Sequence, residues 1–390
     1  MAPGSRSEPE AVKAKVMQAR QEAHAYEMRV GDGVPDAAAE LAHGRDCVAL
    51  VSCARVLRTP FGKQVRAALA RTGNCALVHA LPDGEKGKTL AQTERAAIRL
   101  LQAGATRRSL VLALGGGAVT DAAGFLAATY MRGVSWVAVP TTLLAMVDAA
   151  LGGKTGVNLP MAKNAVGAFH PPIAVLADPA ALETLPEREL RSGLGEVVKY
   201  AALRPALLDR VRATARSGRA DAMLVASCAR IKMDIVERDP KERGERKLLN
   251  LGHTFGHGVE AAGGFAKYTH GESVAIGLAF AFRLARALGR VDSAAVESLE
   301  DALAAAGLPT RVPAQVARRA ARLMGYDKKR TADGLQWVLP RASREGAPQR
   351  APDAEGGCAA SIGLDWAMEW DVAATPRAVE QAVEEIGEKP

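Results

Sequence analysis

Residues 110–121 read Leu-Val-Leu-Ala-Leu-Gly-Gly-Gly-Ala-Val-Thr-Asp, and this stretch decides the fold. Its first five residues form a continuous apolar run, which predicts a buried strand of a parallel sheet. The three glycines that follow allow the backbone to approach a ligand at the carboxyl end of that strand, where open α/β sheets bind small molecules. We therefore expect a ligand-binding turn at Gly115, Gly116 and Gly117.

Two familiar phosphate-binding motifs do not account for this region. The glycines do not match the dinucleotide fingerprint G-x-G-x-x-G, because Thr120 occupies the place of the third glycine. Gly153-Lys154-Thr155 does not match a Walker A loop, because Asp148 stands where that loop opens with glycine. A phosphate-binding loop of another kind and plain tight turns between packed strands both stay open.

Strand-like and helix-like segments alternate on either side of the glycines. Apolar runs predict strands at 47–51, 75–79, 136–139 and 173–177, with a short strand at 26–30. Amphipathic stretches predict helices at 59–71, 90–103 and 122–130, the first capped by Thr59 and followed by Pro60. This alternation predicts an α/β domain with a parallel, Rossmann-like sheet over residues 26–186.

The pattern becomes helical after Glu187, which predicts a second, α-helical domain over residues 187–390. Its expected helices span 188–202, 205–216, 220–237, 248–262, 272–288, 294–306 and 376–386. Residues 341–361 are rich in Pro, Gly, Ala and Arg and predict a flexible loop between extended segments at 335–339 and 366–370. Residues 1–25 are expected to be a flexible extension, frayed or helical up to about Glu22.

Composition excludes several classes of protein. The chain has 390 residues and a formal charge of +8, but the arginines are spread over helical faces without a basic run, which argues against nucleic-acid binding. The longest nearly uncharged run, 134–147, is too short to span a bilayer, and the first residues lack an apolar signal core. Five scattered cysteines predict reduced thiols in a cytoplasmic protein.

Three of the seven histidines lie in one region of the helical half: His253, His257 and His270. His253 and His257 are four residues apart on a predicted helix and so project from one face. Glu196 interrupts an otherwise apolar helical face, where an unpaired carboxylate would be expensive. One Glu and two His leave an open coordination position, which is typical of a catalytic divalent site. The alternative is that each histidine is a satisfied core or surface group.

Basic and amide side chains accompany these residues. Lys199 and Lys232 have largely apolar neighbours, and Arg246 and Asn250 stand just before His253. The bland alternative is a solvated helix face. Together with the lysines of the glycine-rich half they suit a substrate that carries both a phosphate and a carboxylate.

Seven motifs in chain order carry a family resemblance. They are Gly-Gly-Gly-Ala-Val-Thr-Asp121, Ala-Thr-Tyr-Met-Arg132-Gly, Pro-Thr-Thr-Leu-Leu-Ala-Met-Val-Asp148, Gly-Gly-Lys154-Thr-Gly-Val-Asn158 with Lys163-Asn164, Gly-Glu196-Val-Val-Lys199, Asn250-Leu-Gly-His253-Thr-Phe-Gly-His257 and His270-Gly-Glu272. The sequence resembles the sugar phosphate cyclases, and among them the 3-dehydroquinate synthases most, over roughly residues 26–340.

The resemblance implies an NAD-dependent, zinc- or cobalt-dependent enzyme of two domains that forms a homodimer. Such an enzyme converts 3-deoxy-D-arabino-heptulosonate 7-phosphate to 3-dehydroquinate and phosphate in the shikimate pathway. The substrate is oxidised by NAD, loses phosphate, is reduced again and closes its ring by an intramolecular aldol step. The cofactor is thus recycled within one turnover.

The resemblance also assigns roles to individual residues. NAD is expected on Asp83, Gly84, Glu85, Lys86, Lys88, Gly116, Gly117, Asp121, Thr141, Thr142, Lys154, Lys163, Leu182, Glu183 and Thr184. The metal is expected on Glu196, His253 and His270. Substrate contacts are expected from Asp148, Lys154, Asn164, Lys199, Lys232, Arg246, Asn250 and His257, with Arg132 reaching a neighbouring subunit and Lys328 meeting the carboxylate.

One departure and several alternatives accompany this interpretation. Members of the family commonly carry an Asp-x-Asn-like segment after the second strand, where this chain has Ser52-Cys53-Ala54-Arg55, so adenosine contacts there are in doubt. An enzyme that acts on an amino analogue of the substrate, or a metal-dependent polyol dehydrogenase, would share much of this pattern. Cyclases of glucose 6-phosphate or sedoheptulose 7-phosphate, and a non-catalytic binding module, fit less well.

Overall fold

The computed structural model of the chain describes residues 15–21, 24–74, 77–324, 330–331, 334–342 and 366–388. The chain divides into two compact units. The first contains Met1–Leu185 and Val225–Arg230, and the second contains Pro186–Leu224 and Ile231–Pro390. Within the described part of the chain, no helix has both the length and the apolar character needed to cross a membrane.

A seven-stranded sheet is the centre of the first unit. Its strands are β1 (Lys15–Gln21), β2 (His24–Val30), β3 (Val48–Cys53), β4 (Leu77–Leu81), β5 (Leu110–Gly115), β6 (Ser135–Pro140) and β9 (Ala174–Ala177). Their order is β1-β2-β9-β6-β5-β3-β4, and every pairing is parallel except that of β1 with β2. The residues of β3 and β5 are all buried, as expected for strands covered on both faces.

The helices of the first unit follow the strands in the βαβ pattern. They are α1 (Val34–Ala42), α2 (Ala54–Arg58), α3 (Pro60–Arg71), α4 (Leu90–Gln102) and α5 (Gly117–Thr129). The side chain of Thr59 accepts a hydrogen bond from Gly62 N at 3.0 Å, and Thr89 accepts one from Gln92 N at 3.3 Å. These caps satisfy backbone donors that the first turn of a helix leaves without a partner, and so fix where α3 and α4 begin.

A hairpin between β6 and β9 was not foreseen from the sequence. Strands β7 (Lys154–Leu159) and β8 (Ala162–Phe169) pair antiparallel, with a shift in register between Val157 and Leu159. The sequence predicted only a phosphate-binding loop or tight turns between packed strands in this region. The hairpin sets Lys154, Lys163 and Asn164 on one two-stranded element.

The expected helical or frayed character of the N-terminal extension was wrong for residues 15–21. Strand β1 pairs with β2 along its whole length, for example Met17 with Met28. The outer edge of β2 would otherwise present unpaired backbone groups, and the hydrogen bonds gained there outweigh the helix propensity of the Lys, Met, Gln, Ala and Arg residues in this segment. Residues 1–14 lie outside the described part of the chain.

Helices make up most of the second unit. They are α6 (Glu187–Leu203), α7 (Leu208–Ser217), α8 (Ala222–Arg238), α9 (His253–Ala262), α10 (His270–Ala287), α11 (Ser293–Ala305), α12 (Ala314–Met324) and α13 (Pro376–Ile386). Within α8, Val225–Arg230 belong to the first unit. Short strands complete it: β10 (Val312–Pro313) with β15 (Gly387–Glu388), β11 (Arg330–Thr331) with β12 (Gly334–Leu335), and β13 (Trp337–Ala342) with β14 (Trp366–Val372). The flexible loop expected over residues 341–361 was wrong for its first two residues, which end β13. Residues 343–361 lie outside the described part of the chain.

Two expected helix boundaries in this unit were wrong, and both changes concern candidate site residues. The helix expected over 248–262 begins only at His253, since Glu245–Asn250 form a separate 3-10 turn and Gly252 adopts a left-handed φ of 76°. The helix expected from Glu272 begins at His270. Thr269 and Glu272 form a reciprocal capping box there, which extends the helix by two residues and sets His270 in its first turn.

Helices α6 and α10 touch through their backbones. A Cβ placed on Gly271 would lie 1.7 Å from the carbonyl oxygen of Ser192, and one on Gly195 would lie 2.4 Å from the carbonyl oxygen of Gly271. Only glycine permits this approach, since any side chain would overlap main-chain atoms. The contact brings together the residues next to these glycines in sequence, Glu196 and His270.

A buried histidine in β4 gives the first unit a testable pH dependence. His79 Nδ1 accepts a hydrogen bond from Arg99 at 3.2 Å, and His79 Nε2 has no partner among the described residues. Burial, and then the charge of Arg99, lower the pKa of His79 below its ordinary value of 6.5. As the pH falls, His79 therefore binds its proton at a higher pH in the unfolded chain than in the folded chain. Stability is retained above that ordinary value and is lost as the pH falls below it.

On acidification from about pH 7.5 to about pH 5.5, we expect the free energy of unfolding to fall further in the wild-type protein than in His79→Gln. The difference between the two slopes is at most about 1.4 kcal/mol per pH unit, the value for one proton. Denaturant unfolding of both proteins at several pH values measures the difference. Parallel pH profiles would show that His79 does not titrate differently in the two states.

Candidate functional site

Glu196 lies at the centre of a three-residue cluster in the second unit. Its Oε1 is 3.1 Å from His270 Nε2 and 3.4 Å from His253 Nε2. One ligand atom from each of the three residues lies within 4.8 Å of the other two. The carboxylate is fully buried on α6, and the imidazoles come from the first residues of α9 and α10. Three helices thus bring together the donor set that the sequence predicted.

The hydrogen bonds behind the two imidazoles fix which nitrogen faces Glu196. His253 Nδ1 donates to the carbonyl oxygen of Leu251 at 3.1 Å, and His270 Nδ1 donates to Glu260 Oε1 at 3.2 Å. With a proton held on Nδ1, the Nε2 atom of each ring faces the carboxylate and can bind a cation once it carries no proton of its own. Metal-binding histidines have this arrangement, since an acceptor on the far nitrogen orients the ring and increases its basicity. The residues present therefore fit a divalent cation.

The electrostatics of the cluster favour a charged carboxylate. Although burial opposes ionisation, Lys199 and the two imidazoles hold the pKa of Glu196 well below its ordinary value. Lys199 Nζ lies 2.5 Å from Glu196 Oε2, and both side chains are buried. Burial lowers the pKa of His253 to about 4 despite Glu196, so this ring is neutral, the form that binds metals.

His270 carries the opposite charge state. Burial alone would lower its pKa, but hydrogen bonds with Glu196 and Glu260 raise the pKa to about 10. Both of its nitrogens face carboxylates, so its surroundings favour a positive partner at Nε2, which either a proton or a metal ion can provide.

Glu260 is a candidate site residue that the sequence interpretation missed. It stands seven residues after His253, and so two helical turns along the same face of α9, and it is 8% exposed. That spacing was available in the sequence. The signal was incomplete because the partner of Glu260, His270, comes from a different helix.

Other predicted site residues of the second unit lie beside the cluster, on the turn before it, or on α8. The ring of His257 lies edge-on to that of His253, with centroids 5.4 Å apart. Arg246 and Asn250 both belong to the 3-10 turn Glu245–Asn250, where Arg246 is 1% exposed. Lys232 is buried on α8. Arg246 Nη1 donates to the carbonyl oxygen of Pro240 at 2.6 Å, which fixes the direction of its guanidinium.

The glycine turn of the first unit joins β5 to α5. Gly116 precedes the first residue of α5, and no side chain caps that end of the helix. A Cβ on Gly116 would lie 2.9 Å from Thr142 Cγ2, so Thr142 packs directly on the turn. The first backbone N–H groups of a helix at the carboxyl end of a parallel strand bind phosphate groups well. The turn therefore fits the pyrophosphate of a dinucleotide.

A lysine beside the turn connects three predicted residues. Lys88 is 3% exposed, and its Nζ donates to Asp121 Oδ2 and to Asn164 Oδ1. Lys88 was assigned to NAD binding, as was Asp121, whereas Asn164 was assigned to the substrate. Within the first unit, Lys88 thus links Asp121, which is assigned to NAD binding, to Asn164, which is assigned to the substrate.

The remaining predicted residues occupy loops and ends of elements. Asp83 and Gly84 to Lys86 lie between β4 and α4. Thr141 N donates to Gly115 O at 3.0 Å, and Asp148 is in a π-helical turn at Ala145–Ala149. Lys154 and Lys163 are on the hairpin strands. Leu182 ends the 3-10 turn Pro179–Leu182 and is followed by Glu183 and Thr184, and Arg132 has a left-handed φ of 66°. Lys328 lies outside the described residues.

Comparison with protein-family models matches almost two thirds of the chain. The N-terminal model of 3-dehydroquinate synthase matches residues 78–192, and the C-terminal model of the same family matches residues 193–330. The junction of the two matches falls inside α6, between Ser192 and Gly193.

Individual relatives agree with the family match. The chain is 48% identical over 276 residues to the 3-dehydroquinate synthase of Xylella fastidiosa (strain 9a5c), covering 68% of this chain and 70% of that relative. It is 44% identical over 349 residues to that of Xanthomonas axonopodis pv. citri (strain 306), covering 85% and 94%. A solved structure of ValA, a 2-epi-5-epi-valiolone synthase from Streptomyces hygroscopicus subsp. jinggangensis 5008 with NAD+ and Zn2+ bound, has a TM-score of 0.71 at 27% identity, covering 89% and 92%. On these matches the chain belongs to the 3-dehydroquinate synthase family.

Proposed function

We propose that this protein converts 3-deoxy-D-arabino-heptulosonate 7-phosphate to 3-dehydroquinate and phosphate. The observation that carries the proposal is the Glu196, His253 and His270 cluster in a chain that belongs to the 3-dehydroquinate synthase family. The cytoplasm is the proposed location, and a homodimer is the proposed assembly.

Two cofactors accompany the proposed reaction. Glu196, His253 and His270 would hold one divalent metal ion, zinc or cobalt, and the turn at Gly116 and Gly117 would hold the pyrophosphate of NAD. When bound, NAD accepts and later returns a hydride, and the metal ion acts as a Lewis acid on a substrate hydroxyl. The related ValA structure, which contains NAD+ and Zn2+, supports this choice of cofactors.

The second unit supplies the charges that the substrate requires. Lys199 holds a buried ammonium against Glu196 and would meet an anionic oxygen of the substrate at low dielectric, where such a contact is strong. His257, beside His253, would hold the phosphate group that leaves. Arg246 would bind the carboxylate, a role that suits a planar guanidinium whose orientation is already fixed.

The first unit positions the nucleotide and a second set of anion contacts. The buried ammonium of Lys88 donates to Asp121 in α5, the helix that begins at the glycine turn, and to Asn164 in the β7–β8 hairpin. One cation therefore connects the helix to the hairpin. Lys154 and Lys163 stand on that hairpin. They would bind phosphate groups of the cofactor and of the substrate.

A phosphate-release assay with the heptulosonate phosphate tests the proposal. We expect release of one phosphate per substrate, no net accumulation of NADH, and loss of activity on treatment with a chelator. NADH accumulation without phosphate release would instead indicate a polyol dehydrogenase. Preference for the amino analogue in side-by-side turnover would indicate the aminated pathway.

Glu260 provides a prediction about the metal site that does not depend on turnover. We expect Glu260→Leu to weaken metal affinity by roughly 10- to 100-fold, because His270 loses the acceptor that fixes its Nδ1 proton. Glu260→Gln keeps an acceptor oxygen and should lose less. Competition for zinc with a chromophoric chelator measures the three dissociation constants. Equal values for all three proteins would show that Glu260 does not orient His270.

A further inference from the structure

Asn158, a residue with no role assigned from the sequence, links two segments of the first unit. It lies in β7 at the shift of register between Val157 and Leu159, where the strand departs from regular pairing with β8. Irregular positions of this kind commonly re-aim side chains next to functional sites. The contacts of Asn158 reach both the loop before α4 and the far strand of the hairpin.

On one side, Asn158 contacts the loop that carries the predicted NAD-binding residues. Its Nδ2 donates to Glu85 Oε2 at 2.5 Å, and its backbone N–H donates to the carbonyl oxygen of Lys88 at 2.9 Å. A parallel bridge between Thr89 and Asn158 continues this contact. The side chain and the main chain of one residue therefore hold both ends of the Glu85–Lys88 segment.

On the other side, Asn158 holds the residue that carries the predicted phosphate contact. Its Oδ1 accepts a hydrogen bond from Asn164 N at 2.9 Å. Asn164 has a left-handed φ of 53°, a conformation that asparagine tolerates better than most residues but that still needs support from its surroundings. The side chain of Asn164 in turn accepts from Lys88, which closes a ring of contacts through Glu85–Lys88, Asn158 and Asn164.

We propose that Asn158 is a positioning residue that couples NAD binding at the Glu85–Lys88 loop to phosphate binding at Lys154 and Asn164 of the hairpin. A nucleotide that orders the loop also orders the hairpin, so a phosphate that binds second requires less ordering. The coupling is reciprocal, so phosphate tightens NAD by the same factor. This inference rests on the proposed function, because it takes the loop as an NAD contact and the hairpin as a phosphate contact.

The coupling factor is measured by titrating NAD into the full-length, metal-loaded, NAD-free protein with and without saturating inorganic phosphate. We expect phosphate to tighten NAD about 5- to 10-fold in the wild-type protein. In Asn158→Ala, which removes both side-chain bonds, the factor should fall to within about 2-fold of unity. In the same variant the KM for the heptulosonate phosphate should rise more than kcat falls.

Three further variants separate coupling from folding. Asn158→Asp keeps the acceptor for Asn164 but faces Glu85 with a second carboxylate, so it should also lose the coupling. Glu85→Gln keeps an acceptor oxygen for Asn158 and should retain the coupling. Met161→Ala changes a side chain at the tip of the same hairpin that is 98% exposed, and it should behave as wild type. If Asn158→Ala does not fold, Asn158→Asp decides.

The inference would be overturned if Asn158→Ala or Asn158→Asp had the same coupling factor as the wild-type protein. It would also be overturned if the coupling factor of the wild-type protein were one. Loss of coupling in Met161→Ala would also overturn it, since the hairpin as a whole and not Asn158 would then be responsible. Failure of the proposed function looks different, because the wild-type protein would then release no phosphate from the heptulosonate phosphate. A wild-type enzyme that is active but uncoupled contradicts the inference alone.

Discussion

Glu196→Gln is expected to abolish stable metal binding and to reduce the rate of phosphate release by about 10³-fold or more. A Lewis-acid metal contributes several kcal/mol to such a reaction, and each 1.36 kcal/mol corresponds to about a factor of ten in rate. Glutamine keeps the shape of the side chain but removes the charge that faces His253 and His270 at 3.4 and 3.1 Å. Metal content after dialysis and the turnover rate are the two measurements.

The same substitution also tests the ion pair with Lys199. Both partners are buried, and removal of one charge from a buried pair leaves the other without compensation, at a cost of about 3–5 kcal/mol. The free energy of unfolding should therefore fall together with activity. Glu189→Gln is the matched control, because it makes the same chemical change at an exposed position in the first turn of the same helix. A Glu196→Gln protein with normal metal content and activity would refute the proposed metal site.

Gly271→Ala is expected to destabilise the second unit by about 3 kcal/mol or more and to weaken metal binding. The added methyl group would lie 1.7 Å from the carbonyl oxygen of Ser192, and a main-chain atom cannot rotate away as a side chain can. Helices α6 and α10 must therefore separate. Since Glu196 follows Gly195 and His270 precedes Gly271, their separation moves the carboxylate away from the imidazole.

Thermal unfolding and zinc affinity measure the two effects of Gly271→Ala. Ser192→Ala is the control, because it removes the hydroxyl that accepts from Gly271 N at 3.1 Å without adding bulk. It should cost about 1–3 kcal/mol for the lost hydrogen bond and should leave the cluster closer to wild type. If Gly271→Ala matched the wild-type protein in unfolding midpoint and in zinc affinity, the close helix contact would not be what positions the cluster.

Local signals explain why much of the fold was predictable. A continuous apolar run marks β5, Thr59 and Pro60 mark the start of α3, and the expected helix over 376–386 is α13 as observed. The candidate donor set was also predictable, because a carboxylate on an apolar helical face and a cluster of three histidines are visible in the sequence, and the family resemblance selects Glu196, His253 and His270. Each of these signals depends on residue types and on spacings within its own strand or helix.

Long-range packing explains what could not be predicted. Strand β1 forms because β2 offers a free edge, and the 3-10 turn before His253 forms where Gly252 takes a left-handed conformation, so neither follows from helix propensity alone. Glu260 was missed because its partner belongs to another helix. The Asn158 contacts were missed because Glu85 and Asn158 are 73 residues apart in sequence.

The sequence by itself therefore determined the alternating strands and helices, the glycine turn and, through the family resemblance, the candidate metal-binding side chains. Only the tertiary structure decided how these side chains meet. Periodicity fixes which face of a helix a residue occupies, but the distance between two faces depends on what packs between them. At Gly195 and Gly271 nothing packs between them, and that close approach brings Glu196 within 3.1 Å of His270.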